Sequence, residues 1–232
     1  MKCSRCGKAA EQSGALFCPF CGAPLAGEAC PSVPAGAAEL LEKAARQKTN
    51  QKKLALLRQA CEQYPDCLAV QEEWLFQQKL PTTPTDALDY DRIKCHLLQM
   101  YLTPEDYAPE QLAHRRSELF GDPQLLRCLA LAPSPEGYSA HYLERICREY
   151  IQVFLMGSNE YMPRLMGFRL ERDPARALAR PTARMLLAME ADPGLTPEQR
   201  QQLTAAFRQA FHAECGGNMS WLEKALVQDE RH

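Results

Sequence analysis

The stretch EGYSAHYLERICREYIQVFLM, residues 136–156, decides the fold class. Its side chains Tyr138, Tyr142, Ile146, Tyr150 and Phe154 recur every four residues, with Leu143, Cys147, Ile151 and Leu155 beside them. A helix turns about 100° per residue, so this spacing gathers both rows into one broad apolar face. The segment reads as a deeply packed α-helix.

Working outward, Leu203, Phe207 and Phe211 repeat the pattern in 197–214. Thr196-Pro197-Glu198 opens that stretch with an N-cap hydroxyl, a proline whose missing N–H costs nothing at the first position, and an early acid. Gly216-Gly217 closes it. Similar openings stand at Asp173-Pro174, Asp122-Pro123, Ser134-Pro135 and Thr103-Pro104. Pro181 falls inside an otherwise helical run, so 174–191 reads as one kinked helix or two short ones. No segment joins period-two alternation to β-branched residues, and the total comes to about ten helices. The body, 37–232, is therefore expected to be all-α, either a multi-helix bundle or an irregular helical-hairpin array. Residues 37–80 read as a helical hairpin broken at Tyr64-Pro65-Asp66. There Ala60, Pro65, Leu68, Trp74 and Leu75 resemble the join between tetratricopeptide-like repeats, although no 34-residue period continues it.

The N-terminal end is of another kind. Cys3-Ser4-Arg5-Cys6-Gly7 and Cys18-Pro19-Phe20-Cys21-Gly22 are two CxxCG knuckles joined through Gln12-Ser13-Gly14. Each two-residue spacer lets a pair of sulfurs face one ion, and the glycine accepts the backbone angles that follow. Four thiolates in this arrangement suit tetrahedral zinc at about 2.3 Å. Iron also accepts four thiolates, but rubredoxin-type knuckles lie further apart, so zinc is preferred. A fourth cysteine fills the position that a catalytic zinc keeps for water, so one structural Zn2+ is expected. Residues 1–25 are too few to bury a core, and metal binding must supply most of their folding energy, roughly 10–16 kcal/mol. Residues 26–36, with two prolines among small residues, read as a linker.

Cys3, Cys6, Gly7, Phe17, Cys18, Pro19, Cys21, Gly22 and Leu25 together resemble the short zinc ribbon at the N-terminus of many bacterial proteins. That family pattern runs CxxCG, a brief spacer, then FCPxCGxxL; Ser4 replaces the usual proline of the first knuckle. The resemblance implies Cys3, Cys6, Cys18 and Cys21 as ligands. It implies little about function, because the ribbon is an accessory on proteins of many kinds.

Composition narrows the rest. A net charge of −2 with 24% charged residues gives no overall basic excess of the sort that attracts nucleic acid. No apolar run approaches the ~20 residues of a membrane span. Metal ligands occupy the place of an export leader, and 11 cysteines argue for a reducing compartment, so a cytoplasmic protein is expected. Most of Cys30, Cys61, Cys67, Cys95, Cys128, Cys147 and Cys215 read as small buried hydrophobes.

Charge is unevenly placed. Residues 42–58 carry Lys43, Arg46, Lys48, Lys52, Lys53 and Arg58 against Glu42, and 164–184 carry Arg164, Arg169, Arg172, Arg176, Arg180 and Arg184 against Glu171 and Asp173. Arg172, Arg176, Arg180 and Arg184 would line one face if their helix continued past Pro181. Such a row can grip anions or a partner; the plainer reading is a solvated face paired with acidic neighbours. Residues 157–168 mix polar, aromatic and methionine side chains, as either a partner-touching loop or a buried connection would. The histidines His96, His114, His141, His212 and His232 are isolated, and Cys95-His96 diverge by roughly 100° on a helix. Phosphate-cradling glycine loops, HExxH and GxSxG are absent from the sequence. These features favour a non-enzymatic protein whose helices mediate protein–protein interaction or scaffolding. The alternative is a nucleic-acid-binding or regulatory protein using the ribbon and the two basic stretches, and the third reading is an enzyme whose site the helices build.

Overall fold

The computed structural model describes residues 33–79, 96–155 and 174–229. The ribbon, Cys30, Cys95, Arg172 and residues 157–168 lie outside them. The described residues are helical, without strands: α1 Ala35–Ala45, α2 Asn50–Gln63, α3 Leu68–Lys79, two 3-10 turns (Leu97–Tyr101 and Pro104–Asp106), α4 Pro109–Phe120, α5 Pro123–Leu131, α6 Pro135–Leu155, α7 Pro174–Ala191, α8 Pro197–Glu214 and α9 Ser220–Asp229. The chain is all-α.

Local chemistry sets the helix ends. Thr196 Oγ1 accepts from the Gln199 N–H at 3.2 Å, and Gln199 Oε1 accepts from the Thr196 N–H at 3.1 Å. The capping box thus closes on Gln199, with Glu198 in the first turn. Past Cys215, Gly216 and Gly217 take φ of 63° and 83°, the left-handed region that ends the helix. Ser134 caps α6 by accepting from the Gly137 N–H at 3.2 Å. Thr103-Pro104, which matches the same start signal, yields only the turn Pro104–Asp106. The reason lies downstream: Ala108 precedes Pro109, and proline pushes it to extended backbone (φ −67°, ψ 152°), so the helix restarts at Pro109.

The chain divides into two compact units, residues 1–78 with 123–142, and residues 79–122 with 143–232. In the first, α1 packs on α2 around Ala37, Ala60 and Val70, with Leu40, Leu41, Tyr64 and the half-buried Cys61 and Cys67 against them. The break at Tyr64-Pro65-Asp66 lies between α2 and α3, and a second break at 46–49 separates α1 from α2. α1 starts at Ala35, inside the stretch read as linker, with Gly36 so close to the Tyr64 hydroxyl that a methyl there would collide with it. α5 is tied on by Gln124 Nε2, which donates to Gln71 Oε1 at 2.8 Å, and by Arg127, which donates to the Pro65 carbonyl at 3.1 Å. His141 and Glu72 meet at 2.9 Å.

The second unit holds the rest of α6 with α4 and α7–α9. Ile146, Tyr150 and Ile151 are buried, as the 136–156 pattern requires, together with Leu203, Phe207 and Phe211 of α8. Cys128, Cys147 and Cys215 are buried, which matches their reading as small hydrophobes.

Candidate anion or partner site

Helix α7 carries the site. It runs unbroken from Pro174 to Ala191 with Pro181 inside it. The proline removes one backbone donor and costs about 3 kcal/mol in a helix interior. Met185, Leu186 and Met189 lie beyond it and are at most 1% exposed. Burying three such side chains contributes roughly 5–9 kcal/mol, so packing outweighs the proline. The buried positions Ala175, Leu178, Ala179, Thr182, Ala183 and Leu186 form one face, set against α8, α9 and the first 3-10 turn.

The opposite side is basic. Arg176, Arg180 and Arg184 are all exposed and four residues apart, so they span about 80° of the helix circumference and stand about 6 Å apart along its axis. The Arg176 guanidinium lies over the Trp221 ring of α9, 5.2 Å from its centroid, and Lys224 Nζ is 4.9 Å from the same centroid. Arg180 and Arg184 have no ion pair among the described residues. Glu190, the next acid after Arg184 in sequence, faces Arg208 at 3.8 Å. Trp221 and Lys224 could not be assigned to this surface from sequence, because only tertiary packing of α9 on α7 brings them there.

In the other basic stretch three of the six basic residues meet a carboxylate. Lys43 pairs with Glu39 at 2.7 Å, Arg46 with Glu42, and Lys53 with Glu73 at 3.2 Å. Lys48, Lys52 and Arg58 are exposed.

Several titratable groups in the interior are tied to structural partners. One Arg116 nitrogen donates to both oxygens of Asp192 at 3.0 and 3.1 Å, and Tyr101 donates to Asp192 Oδ2 at 3.1 Å. Burial, with the Asp192 charge beside it, pushes the Tyr101 phenol well above its ordinary range, so it stays a donor. Glu214 accepts from Arg148 Nε at 3.1 Å and from Gln152 at 3.0 Å, while burial raises Glu149. His96 is buried against Tyr150 with ring centroids 4.9 Å apart, and its Nδ1 accepts from the Leu98 N–H at 3.3 Å. Burial, then the Arg115 charge, pushes its pKa down to about 4, so the ring is neutral at pH 7. Burial also pushes the Cys61 thiol up to about 11. Among the described residues no group of three or more His, Cys, Asp or Glu is placed to hold a metal ion, and no helix is long and apolar enough to cross a membrane.

Comparison with family models, with curated proteins and with solved structures returns no match to the chain.

Proposed function

We propose that this chain is a non-enzymatic interaction protein of the cytoplasm, in which the helical body presents the α7–α9 surface to a protein partner. The observation that carries the reading is the row Arg176, Arg180 and Arg184 on the outer side of one unbroken helix, with Trp221 alongside. Arginine and tryptophan are the residue types that dominate protein interfaces, since each offers a large, stiff contact surface with a polar edge. Arg180 and Arg184 have no ion pair among the described residues, which supports reading their face as contact chemistry.

The N-terminal ribbon is the second module of this reading. Cys3, Cys6, Cys18 and Cys21 are a donor set suited to one structural zinc, which would fix the ribbon's fold. Its four sulfurs fill the coordination shell, so the ion's part is architectural.

Affinity purification from the native cells tests the reading, with the wild-type chain compared to an R180E/R184E variant of matched circular dichroism. A defined protein recovered with the wild type and lost with the variant is the expected result. Recovery of nuclease-sensitive material in its place, or equal recovery of the same proteins by both chains, contradicts it.

A further inference from the structure

We infer that the arginine face of α7 takes an acidic α-helical protein segment whose carboxylates recur every fourth residue. The inference rests on the reading of this face as a protein interface and names the chemistry of the partner.

Several other basic side chains meet a carboxylate closely within the fold, among them Lys43 at 2.7 Å, Lys79 at 2.6 Å, Arg116 at 3.0 Å and Arg148 at 3.1 Å. Among the described residues Arg180 and Arg184 meet none, and both are exposed. Two neighbouring guanidinium groups without a carboxylate among the described residues, in a chain of net charge −2, mark a local demand for negative charge. The planar fork of arginine matches a carboxylate, and a pair aligned at both nitrogens adds direction as well as attraction.

Residues four apart on a helix advance about 6 Å, so glutamates four apart on a neighbouring helix meet Arg180 and Arg184 in step. An extended segment places same-side residues about 6.7 Å apart and needs backbone partners. The backbone of α7 is consumed by its own helix, so a strand laid on it would leave its N–H and C=O groups without protein partners. A helical segment brings its backbone already satisfied.

Nucleic acid is the poorer fit: a polyanion is drawn by a broad positive field, whereas this row of described arginines is three residues long in a chain of net charge −2.

Fluorescence anisotropy of labelled probes against the full chain tests the inference. One probe is a helical peptide with three glutamates, each four residues after the last. A second has the same composition with glutamates five apart, which scatters them around the helix, and a third is a single-stranded oligonucleotide of equal charge. The in-step peptide is expected to bind, weakening as salt rises, with affinity reduced at least tenfold for the scattered peptide and for both R180E/R184E and R180Q/R184Q. Equal binding of the two peptides, tighter binding of the oligonucleotide, or no binding overturns the acidic-helix assignment. If the R180E/R184E chain has meanwhile lost a defined protein on purification, the interface stands and only the partner's chemistry falls.

Discussion

Arg116 and Asp192 form the tie that holds the end of α7 in place. One guanidinium nitrogen reaches both carboxylate oxygens at 3.0 and 3.1 Å, with side-chain exposures of only 19% and 9%. The Asp192 carboxylate also accepts from the Gly194 N–H at 2.9 Å and from Tyr101, while Arg200 donates to the Asp192 carbonyl at 3.0 Å. The loop joining α7 to α8 is thereby fixed to α4 and to the first 3-10 turn. Asp192→Asn keeps the shape but removes the charge, and should destabilise the chain by about 2–3 kcal/mol, because Arg116 is left partly buried without its counter-charge. Urea unfolding should show the midpoint falling at constant m.

Gly194 lies directly under the Arg116 guanidinium, where an added methyl would collide with it. Gly194→Ala should therefore displace Arg116 and reproduce much of the Asp192→Asn loss. In the Asp192→Asn background it should cost distinctly less, a coupling of about 1 kcal/mol in a double-mutant cycle. Strict additivity would mean that the two positions do not act through the same arginine.

The ends of α8 carry separable costs. Thr196→Ala removes the acceptor that satisfies the Gln199 N–H and should cost about 1 kcal/mol, with Thr196→Ser close to wild type. Gly216→Ala meets open space but forces a side chain into φ 63°, at a cost of about 1–2 kcal/mol. Thermal or urea unfolding of each variant checks these values.

Burial of His96 makes stability depend on pH. Its pKa is pushed down to about 4 in the fold from an ordinary value of 6.5, so between these values the unfolded chain binds the proton and the folded chain does not. This contribution is fully present above pH 6.5 and is lost as pH falls from about 6.5 to 4, by roughly 3 kcal/mol in total. His96→Asn keeps an acceptor for the Leu98 N–H without titrating there. Its unfolding free energy should fall less steeply across that range; a slope equal to wild type would mean that carboxylates alone set the acid limit.

For the ribbon, elemental analysis of the purified chain should give about one zinc per molecule. Cys18→Ser or Cys21→Ser should release it with little change in helical circular dichroism, since the helices carry their own packed core. Stoichiometric iron, or no metal, would contradict the ligand set.

Helices whose signals are local were legible in the sequence. α6 announces itself through Tyr138, Tyr142, Ile146 and Tyr150, and α8 through Thr196-Pro197 and Gly216-Gly217. The break between α1 and α2 carries no glycine or proline, so Arg46-Gln47-Lys48-Thr49 gave no local warning of it. Pro181 left two local outcomes open, and burial of Met185, Leu186 and Met189 decided between them. For the candidate site, the four-residue arginine spacing was readable, whereas Trp221 over Arg176 and the anchoring of α7 through Asp192 depend on contacts between distant segments. The four cysteines proposed as zinc ligands are the reverse case: plain in sequence, and outside the described residues.

The most direct measurement is photo-crosslinking in living cells. A photoreactive amino acid at position 188 extends the row of Arg176, Arg180 and Arg184, and one at the exposed Leu126 of the other unit serves as control. A discrete protein adduct is expected from position 188, absent from position 126 and absent when R180E/R184E is added. An adduct of nucleic acid at 188, or the same adducts from both positions, would contradict it.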